Sequence, residues 1–397
     1  MSLYFNNAAT TWPKPPCVAD AMKDFLVSGG ANCGRGSSSD RDLGTMGMVL
    51  ECRSRLASFF GGYENGSPQY VTFTANITEA LNVVLKGFLR PGMRVVTTAM
   101  EHNAVIRPLR TLENAGVEVC VAPCRPAGEL EMEAFVRLLE EKRPDLAVVC
   151  HASNVCGTVQ DLESIAAACR ERGVPLAVDS AQTAGLLPLD AAALGLAALC
   201  FTGHKGLMGP QGTGGVVWRP EFASRCASLI EGGTGSFSHL ETQPQAMPDK
   251  FESGTLNLPG IAGLNAALEW IEHRGVENLR RHENEIGARF LAGLKKLPGV
   301  IIYGLDQMTD KKRLPVFAVN FAGVDNGILA AVLSERGLET RPGLQCSPLA
   351  HKTLGSFPQG VLRLSPGAFT TPEEVDKALI IIDQSLSELR AAPPIRA

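Results

Sequence analysis

The chain has 397 residues, enough for a large domain and a smaller one without any additional binding module. Its 37 Lys and Arg against 41 Asp and Glu give a formal net charge of −4, which argues against nucleic acid or an anionic membrane as a partner and favours a small molecule. The 11 cysteines show no paired CxxC spacing, which predicts reduced, mostly buried thiols and no structural zinc site.

The N-terminal region lacks the features of a targeting segment. No basic stretch precedes an apolar run, and no later segment is long and apolar enough to cross a membrane. We therefore predict a cytoplasmic protein. Residues 6–11 are small and polar, so the backbone there can approach another group closely, although an ordinary polar arm is the alternative. In the glycine-rich segment 29–39, Arg35 is either a surface charge or an anion contact, and the residues alone favour the surface charge.

A helix predicted over 43–59 leads into a short strand over 70–74. The next helix begins with polar residues around Asn76, Ile77 and Thr78. A helix start at a strand end can bind phosphate, because unpaired backbone N–H groups and the positive end of the helix dipole point outward. A simple helix cap is an equally open alternative.

The pattern then alternates between strands and helices. Near-continuous apolar strands over 95–98, 117–121, 146–150 and 176–179 predict a mostly parallel sheet covered on both faces. Polar side chains follow three of these strands, at 101–103, 151–154 and 179–182. Ligands bind at this edge of open α/β sheets, so the three sets indicate a site, although each set alone is compatible with a turn.

A fourth polar set follows the apolar run 197–201 and contains Thr202, His204 and Lys205. Burial beside another cation lowers the pKa of a lysine and frees its amine for Schiff-base chemistry. A solvated lysine in a turn is the alternative. Four such sets at corresponding strand ends are hard to explain as capping alone.

The C-terminal part follows an irregular segment rich in glycine, serine and proline at 232–249. We place the domain boundary there, with a large domain over 12–245 and a small α+β domain formed by 246–397 together with 1–11. Helical periodicity runs from 261 to 297, short strands are predicted near 300–302 and 316–319, and a strand ends at 363–365. Helices are predicted near 327–336 and over 373–389.

Several motifs together resemble the class V branch of the pyridoxal-phosphate aminotransferases, and within it the cysteine desulfurases and selenocysteine lyases. The motifs are Asn6 to Thr11, Glu101-His102, Ser153-Asn154, Asp179 to Gln182, Gly203 to Lys205 and Phe251 to Thr255. The resemblance implies an α/β protein of the PLP-dependent fold type I, which is aspartate-aminotransferase-like. It has a large domain with a mainly parallel seven-stranded sheet, a small α+β C-terminal domain, and a homodimeric assembly.

The resemblance also implies roles around the cofactor, pyridoxal 5'-phosphate. Lys205 corresponds to the lysine that forms the Schiff base, and Asp179 to the acidic partner of the ring nitrogen. His102 would stack on the ring, while Asn154 and Gln182 would hold the phenolate oxygen. His102 thus joins Lys205 as a catalytic residue.

The phosphate contacts are also implied by the resemblance. They are the side chains of Thr78, Thr202 and His204, the backbone N–H groups around Asn76 and Ile77, and, from the other subunit, Gly254 and Thr255. Ile77 replaces a threonine that is common in the family, so only its backbone can serve. The contacts from the other subunit make the predicted homodimer part of the active site.

Substrate contacts follow from the same resemblance. Arg363 matches the arginine that clamps the α-carboxylate, a role suited to its bidentate fork, with a surface arginine as the alternative. Arg341 and Arg35 fall at recurrent family arginines, and Ala8 lies in the motif that borders the substrate.

Cys346 occupies the place of the sulfur-accepting cysteine, where attack on the substrate would leave a persulfide. The family often has a histidine where this chain has Gln345, and His351 follows in an unfamiliar way.

The implied activity is removal of sulfur or selenium from L-cysteine or L-selenocysteine to give L-alanine, with a sulfur or selenium acceptor protein as a further partner. A pyridoxal-phosphate C–S β-lyase or aminotransferase is the alternative enzyme. A cofactor-binding scaffold is a third reading, disfavoured because binding alone does not require Lys205, Asp179 and Arg363 together.

Overall fold

The computed structural model describes residues 2–33, 39–309 and 311–391. Its strands are β1 Leu3–Tyr4, β2 Val71–Thr74, β3 Arg94–Thr98, β4 Glu118–Ala122, β5 Leu146–Cys150, β6 Leu176–Asp179, β7 Ala198–Thr202, β8 Gly214–Trp218, β9 Val300–Tyr303, β10 Phe317–Phe321, β11 Leu338–Glu339, β12 Arg341–Gly343 and β13 Val361–Leu364. Its helices are α1 Pro16–Asp24, α2 Asp40–Phe59, α3 Tyr63–Gly66, α4 Ile77–Phe88, α5 Asn103–Asn114, α6 Met132–Lys142, α7 Leu162–Glu171, α8 Ala191–Leu194, α9 Pro220–Arg225, α10 Leu258–Arg274, α11 Val276–Leu294, α12 Asn326–Glu335, α13 Pro348–Leu354 and α14 Pro372–Ala391.

The largest sheet has 7 strands in the spatial order β2-β8-β7-β6-β5-β3-β4. Strands β3 to β7 run parallel to their neighbours within this group, and β8 runs antiparallel to both β2 and β7. Every residue of β5, β6 and β7 is buried, which explains their near-continuous apolar sequences. The predicted α/β fold of type I, with a mainly parallel seven-stranded sheet, is confirmed.

Register brings the polar strand ends together. Cys150 at the end of β5 pairs with Asp179, and Asp179 pairs with Cys200 in β7. The polar residues that follow these strands therefore emerge side by side at one edge of the sheet.

A second, antiparallel sheet has the order β12-β13-β10-β9 and packs with α11, α12 and α14 around its own apolar core. Strand β1 pairs in parallel with β11, which attaches the N-terminal arm to this C-terminal unit. Helix α10 packs on α1 and α2, and its apolar residues belong to the core of the large sheet. The predicted domain boundary after residue 245 stays a proposal.

The periodic stretch predicted over 261–297 is two helices, α10 and α11. They meet at Gly275, whose φ of 79° is a left-handed conformation that favours glycine and ends the first helix. Within the described residues no helix is long and apolar enough to cross a membrane.

Glu283 is a buried carboxyl group on α11, and burial raises its pKa from 4.5 to about 8. Its contribution to the free energy of unfolding is therefore fully present below pH 4.5 and is lost as the pH rises through about 8. We expect Glu283→Gln to match the wild type at acidic pH and to be more stable by up to about 4 kcal/mol at alkaline pH. Thermal unfolding from pH 5 to 9 would measure this effect, with the exposed Glu285→Gln as the control. An equal pH dependence in all three proteins would contradict it.

Candidate active site

Lys205 and Asp179 lie at the ends of neighbouring strands, Asp179 closing β6 and Lys205 in the turn after β7. Burial lowers the pKa of Lys205 to about 8, although the charge of Asp179 opposes that shift. Burial raises the pKa of Asp179, and the Ala181 N–H, which donates to Asp179 Oδ1 at 2.8 Å, and Lys205 both oppose the rise. The pair thus brings a half-buried amine with a lowered pKa and a buried carboxyl group to neighbouring strand ends.

The N-terminal arm holds the Lys205 turn in place. Thr11 Oγ1 donates to the Lys205 carbonyl at 2.8 Å, and Lys14 Nζ donates to the His204 carbonyl at 2.7 Å. On the other side, a Cβ on Gly206 would lie 2.4 Å from the Ala184 carbonyl oxygen, so only glycine fits this close approach. The turn is fixed from both sides, and Lys205 has little backbone freedom.

His102 lies just before α5 and caps it. Its Nδ1 accepts a hydrogen bond from the Ala104 N–H at 3.0 Å, so the proton of the neutral ring is on Nε2. Burial, followed by the charge of Lys205, lowers the pKa of His102 to about 4. The imidazole is therefore neutral near pH 7.

Glu101 is a fully buried carboxyl group that the sequence placed in a polar set but gave no role. Its Oε1 accepts from Thr98 Oγ1 at 2.6 Å and from the Cys150 N–H at 2.9 Å. Burial raises its pKa to about 8, and Asp179 adds to the rise. Glu101 joins the ends of β3 and β5 and so sets the position of the adjacent His102.

The start of α4 lies where the sequence predicted a phosphate site. Asn76 Oδ1 accepts from the Glu79 N–H at 3.0 Å, which caps the helix. Ile77 points its side chain into the core, whereas Thr78 is exposed. Thr78 lines a cavity of about 290 Å³ together with His102 and Cys346.

His204 and Thr202 lie beside Lys205. The Thr202 hydroxyl is buried and donates to the Thr213 carbonyl at 3.4 Å. His204 Nδ1 is buried and has no hydrogen-bond partner among the described residues. Burial and Lys205 lower the pKa of His204 to about 4, so the ring is neutral. A buried ring nitrogen without a partner is suited to a ligand.

Arg363 on β13 is a buried guanidinium, 2% exposed. Nη1 donates to the Asn154 carbonyl at 2.9 Å and Nη2 to Asn6 Oδ1 at 3.0 Å, while Nε has no partner among the described residues. Burial and the nearby Arg341 lower the pKa of Arg363 to about 9. Arg341 pairs with Arg363 across β12 and β13 and is exposed. Two adjacent cations, one with an unused donor, favour an anionic ligand.

The other predicted polar residues are held by the chain itself. Asn154 Nδ2 donates to the Gln345 carbonyl at 2.7 Å. Gln182 Nε2 donates to the Ala8 carbonyl at 3.1 Å, and the Ala8 N–H donates to Ser365 Oγ at 3.0 Å. These bonds connect the large sheet, the N-terminal arm and the second sheet around Arg363.

Cys346 is exposed, whereas the other ten cysteines, all in the described part of the chain, are buried or half-buried. Its carbonyl accepts from the Asn103 N–H at 2.8 Å, at the start of α5. Cys346 and His102 line the same cavity. The thiol predicted to accept sulfur is thus accessible beside the predicted ring-stacking histidine.

Two predicted residues lie elsewhere, and a third is not described. Gly254 borders a different cavity, of about 620 Å³, with Arg53 and Glu252. Thr255 is exposed next to it. Arg35 lies outside the described residues.

Sequence reasoning missed four polar residues around the site. They are Asn6, Lys14, Lys86 and Arg107, the last two lining the cavity of Cys346. Arg107 lies four positions after Asn103, the first residue of α5, and both line this cavity, so helical spacing from a recognised polar set was an available signal. Asn6 lay within a recognised motif but was not assigned a contact.

Comparisons with known proteins show the family of the chain. Residues 3–378 match the aminotransferase class-V family. A probable cysteine desulfurase of Methanothermobacter thermautotrophicus is 30% identical over 389 residues, 96% of this chain and 94% of that protein. One of Pseudomonas aeruginosa is 32% identical over 395 residues, 98% of this chain and 94% of that protein. The apo structure of a cysteine desulfurase from Thermococcus onnurineus superposes with a TM-score of 0.90 at 28% identity, covering 98% of this chain and 95% of that one. The chain belongs to the aminotransferase class-V family.

Proposed function

We propose that this protein is a cysteine desulfurase that depends on pyridoxal phosphate and converts L-cysteine to L-alanine while Cys346 accepts the sulfur. The observation that carries the proposal is the placement of Asp179 and Lys205 at adjacent strand ends, where Asp179 is buried, Lys205 is half-buried and the pKa of Lys205 is lowered to about 8. The names of the relatives above support the same activity, and the family is one of pyridoxal-phosphate enzymes.

The residues at the site fit the cofactor. Asp179 would hold the ring nitrogen, and the neutral ring of His102 offers a flat apolar face. The unpartnered Nδ1 of His204, with Thr78 and the start of α4, would hold the phosphate. When bound, pyridoxal phosphate supplies an electron sink for the substrate carbon.

Arg363 binds the substrate α-carboxylate through its unused donor, and Asn154 and Asn6 fix the orientation of its guanidinium. The amine of Lys205 takes the proton from the substrate Cα, a task suited to a pKa near the working pH. Its fixed turn holds the backbone of Lys205 in position.

Cys346 then attacks the substrate sulfur as a thiolate. The Cβ–S bond breaks, an S–S bond forms on Cys346, and the electron pair stays with the carbon product. That product takes up at Cβ the proton that the Cys346 thiol lost and regains at Cα the proton held by Lys205, which gives alanine. The persulfide passes its terminal sulfur to an acceptor or, in the test tube, to dithiothreitol.

We also propose a homodimer in which Gly254 and Thr255 of one chain reach the phosphate bound by the other. Both residues are exposed, and Gly254 lies away from the cavity of His102 and Cys346. An assembly that dissociates on dilution should then also lose cofactor, as measured by light scattering and visible absorbance at matched concentrations.

Product analysis of the purified protein with pyridoxal phosphate, L-cysteine and dithiothreitol tests the activity. Equal amounts of alanine and sulfide support the proposal. Pyruvate with ammonia would identify a β-lyase, and a keto acid that keeps the thiol would identify an aminotransferase. Selenocysteine in the same assay, with selenide measured, tests the lyase activity toward selenium.

Arg363→Lys is expected to raise the KM for cysteine by about ten- to a hundredfold, because lysine lacks the planar fork and loses one charged hydrogen bond. Initial rates of alanine formation over a range of cysteine concentrations measure the change. The exposed Arg281→Lys is the control. An unchanged KM would remove Arg363 from carboxylate binding.

A further inference from the structure

The segment that carries Cys346 has an unusual backbone. Gln345 and Cys346 have φ values of 42° and 57°, so two consecutive residues with side chains adopt the left-handed conformation. This conformation is uncommon for residues other than glycine and persists only where the surroundings hold it. The hydrogen bonds of the Gln345 side chain stabilise the conformation here.

The side chain of Gln345 is buried, 4% exposed, and bonded at both ends. Its Nε2 donates to the Arg341 carbonyl at 3.2 Å and the Val361 carbonyl at 3.4 Å. Its Oε1 lies 3.0 Å from His351 Nε2. Because an amide oxygen only accepts, this ring nitrogen carries the proton and donates.

His351 is itself completely buried on α13. Its Nδ1 lies 2.8 Å from Ser356 Oγ, and since Nε2 carries the proton, the serine hydroxyl donates to Nδ1. Burial lowers the pKa of His351 to about 4, which keeps the ring neutral and this tautomer available. Both ring nitrogens are therefore satisfied, and the histidine is a fixed support for Gln345.

The backbone of the same segment is tied to the substrate site through Asn154. Asn154 Nδ2 donates to the Gln345 carbonyl at 2.7 Å, and Ser347 Oγ donates to Asn154 Oδ1 at 2.8 Å. The Asn154 carbonyl accepts from Arg363 at 2.9 Å. The residues on both sides of Cys346 are thus anchored to the group that contacts Arg363, while the thiol between them stays exposed.

We propose that Gln345 and His351 form a positioning pair that holds the Cys346 segment in its left-handed conformation, with the thiol directed at the substrate site. The two departures from the family pattern, glutamine before the cysteine and histidine after it, are one unit, since each supplies the other's hydrogen-bond partner. The expected effect on kcat rests on the proposed function of Cys346. The expected stabilisation of the segment's conformation does not.

Hydrogen exchange and steady-state kinetics on Gln345→Ala, His351→Ala and His351→Gln test the pair. In both alanine variants, amides of the peptide covering 341–356 should exchange at least about tenfold faster, because local opening becomes easier. The kcat for alanine formation from cysteine should fall about ten- to a hundredfold, since a small misplacement of a reacting group costs this much. The KM should change less than threefold, since Arg363 is intact. His351→Gln keeps an N–H donor toward Gln345. This variant should therefore retain most of the wild-type protection from exchange and most of the wild-type kcat.

The exposed His273→Ala is the matched control and should change neither readout. Unchanged exchange in both alanine variants would overturn the pair, and faster exchange with unchanged kcat would overturn its role in positioning the thiol. If His351→Ala does not fold, Gln345→Ala and His351→Gln decide by themselves. A wild type that forms no alanine from cysteine would remove the proposed function, while hydrogen exchange would still decide whether the pair holds the segment.

Discussion

Lys205→Ala is expected to lower alanine formation from cysteine by at least about 10³-fold, within the range of losses when a proton-transferring group is removed. The amine of Lys205, with a pKa of about 8, is the group that we propose takes the Cα proton, and an alanine side chain has no group that could replace it. Alanine quantified by chromatography in the presence of excess pyridoxal phosphate gives the rate.

A second measurement makes this test independent of turnover. Borohydride treatment followed by peptide mass spectrometry should find the cofactor fixed to Lys205 in the wild type and on no peptide of the variant. The exposed Lys377→Ala should behave as the wild type in both assays. Full activity of Lys205→Ala, or a wild type that takes up no pyridoxal phosphate, would end the cofactor assignment.

Cys346→Ala is expected to reduce sulfide release from cysteine by at least about 10²-fold. This lower bound is smaller than the loss of kcat that follows removal of a nucleophile in a well-studied enzyme. The reason is that Cys346 is the proposed sulfur acceptor, and each of the other ten cysteines is buried or half-buried. Selenium release from selenocysteine should fall much less, because a selenol leaves more readily without a thiol acceptor. Both substrates should be assayed on the same preparation.

The half-buried Cys120→Ala on β4 is the matched control and should retain wild-type rates. Undiminished cysteine turnover in Cys346→Ala would remove Cys346 from the mechanism. Equal losses for cysteine and selenocysteine would instead show that the thiol serves both substrates, against the expected difference.

The parts of the fold predicted best are the buried parallel strands. The predicted bounds of β5 and β6 coincide with the observed ones, because a fully buried strand is a continuous apolar run that ends where polar residues begin. The same rule located Asp179 and the Lys205 turn. The position of the candidate site therefore followed from local sequence, and the family resemblance supplied the proposed roles.

The remaining features depend on contacts between distant residues. Strands β11 and β12 have 2 and 3 residues, too few for a periodic signal, and they exist because they pair with β1 and β13. The contact between Gln345 and His351 could likewise not be predicted from the sequence, because it depends on how α13 places His351 beside Gln345. Asn6 and Lys14 were missed for the same reason.

The pairing of β1 with β11 also bears on how the protein is made. During synthesis, Leu3 and Tyr4 of β1 leave the ribosome long before their β11 partners, Leu338 and Glu339, are made. In the same way, Asn6 is made long before its hydrogen-bond partner Arg363. Closing so long a chain segment is slow relative to local folding. The large sheet can form earlier, but the part of the candidate site around Arg363 is completed only after nearly the whole chain has emerged. A nascent chain arrested before β13 would therefore contain Lys205 and Asp179 but not Arg363.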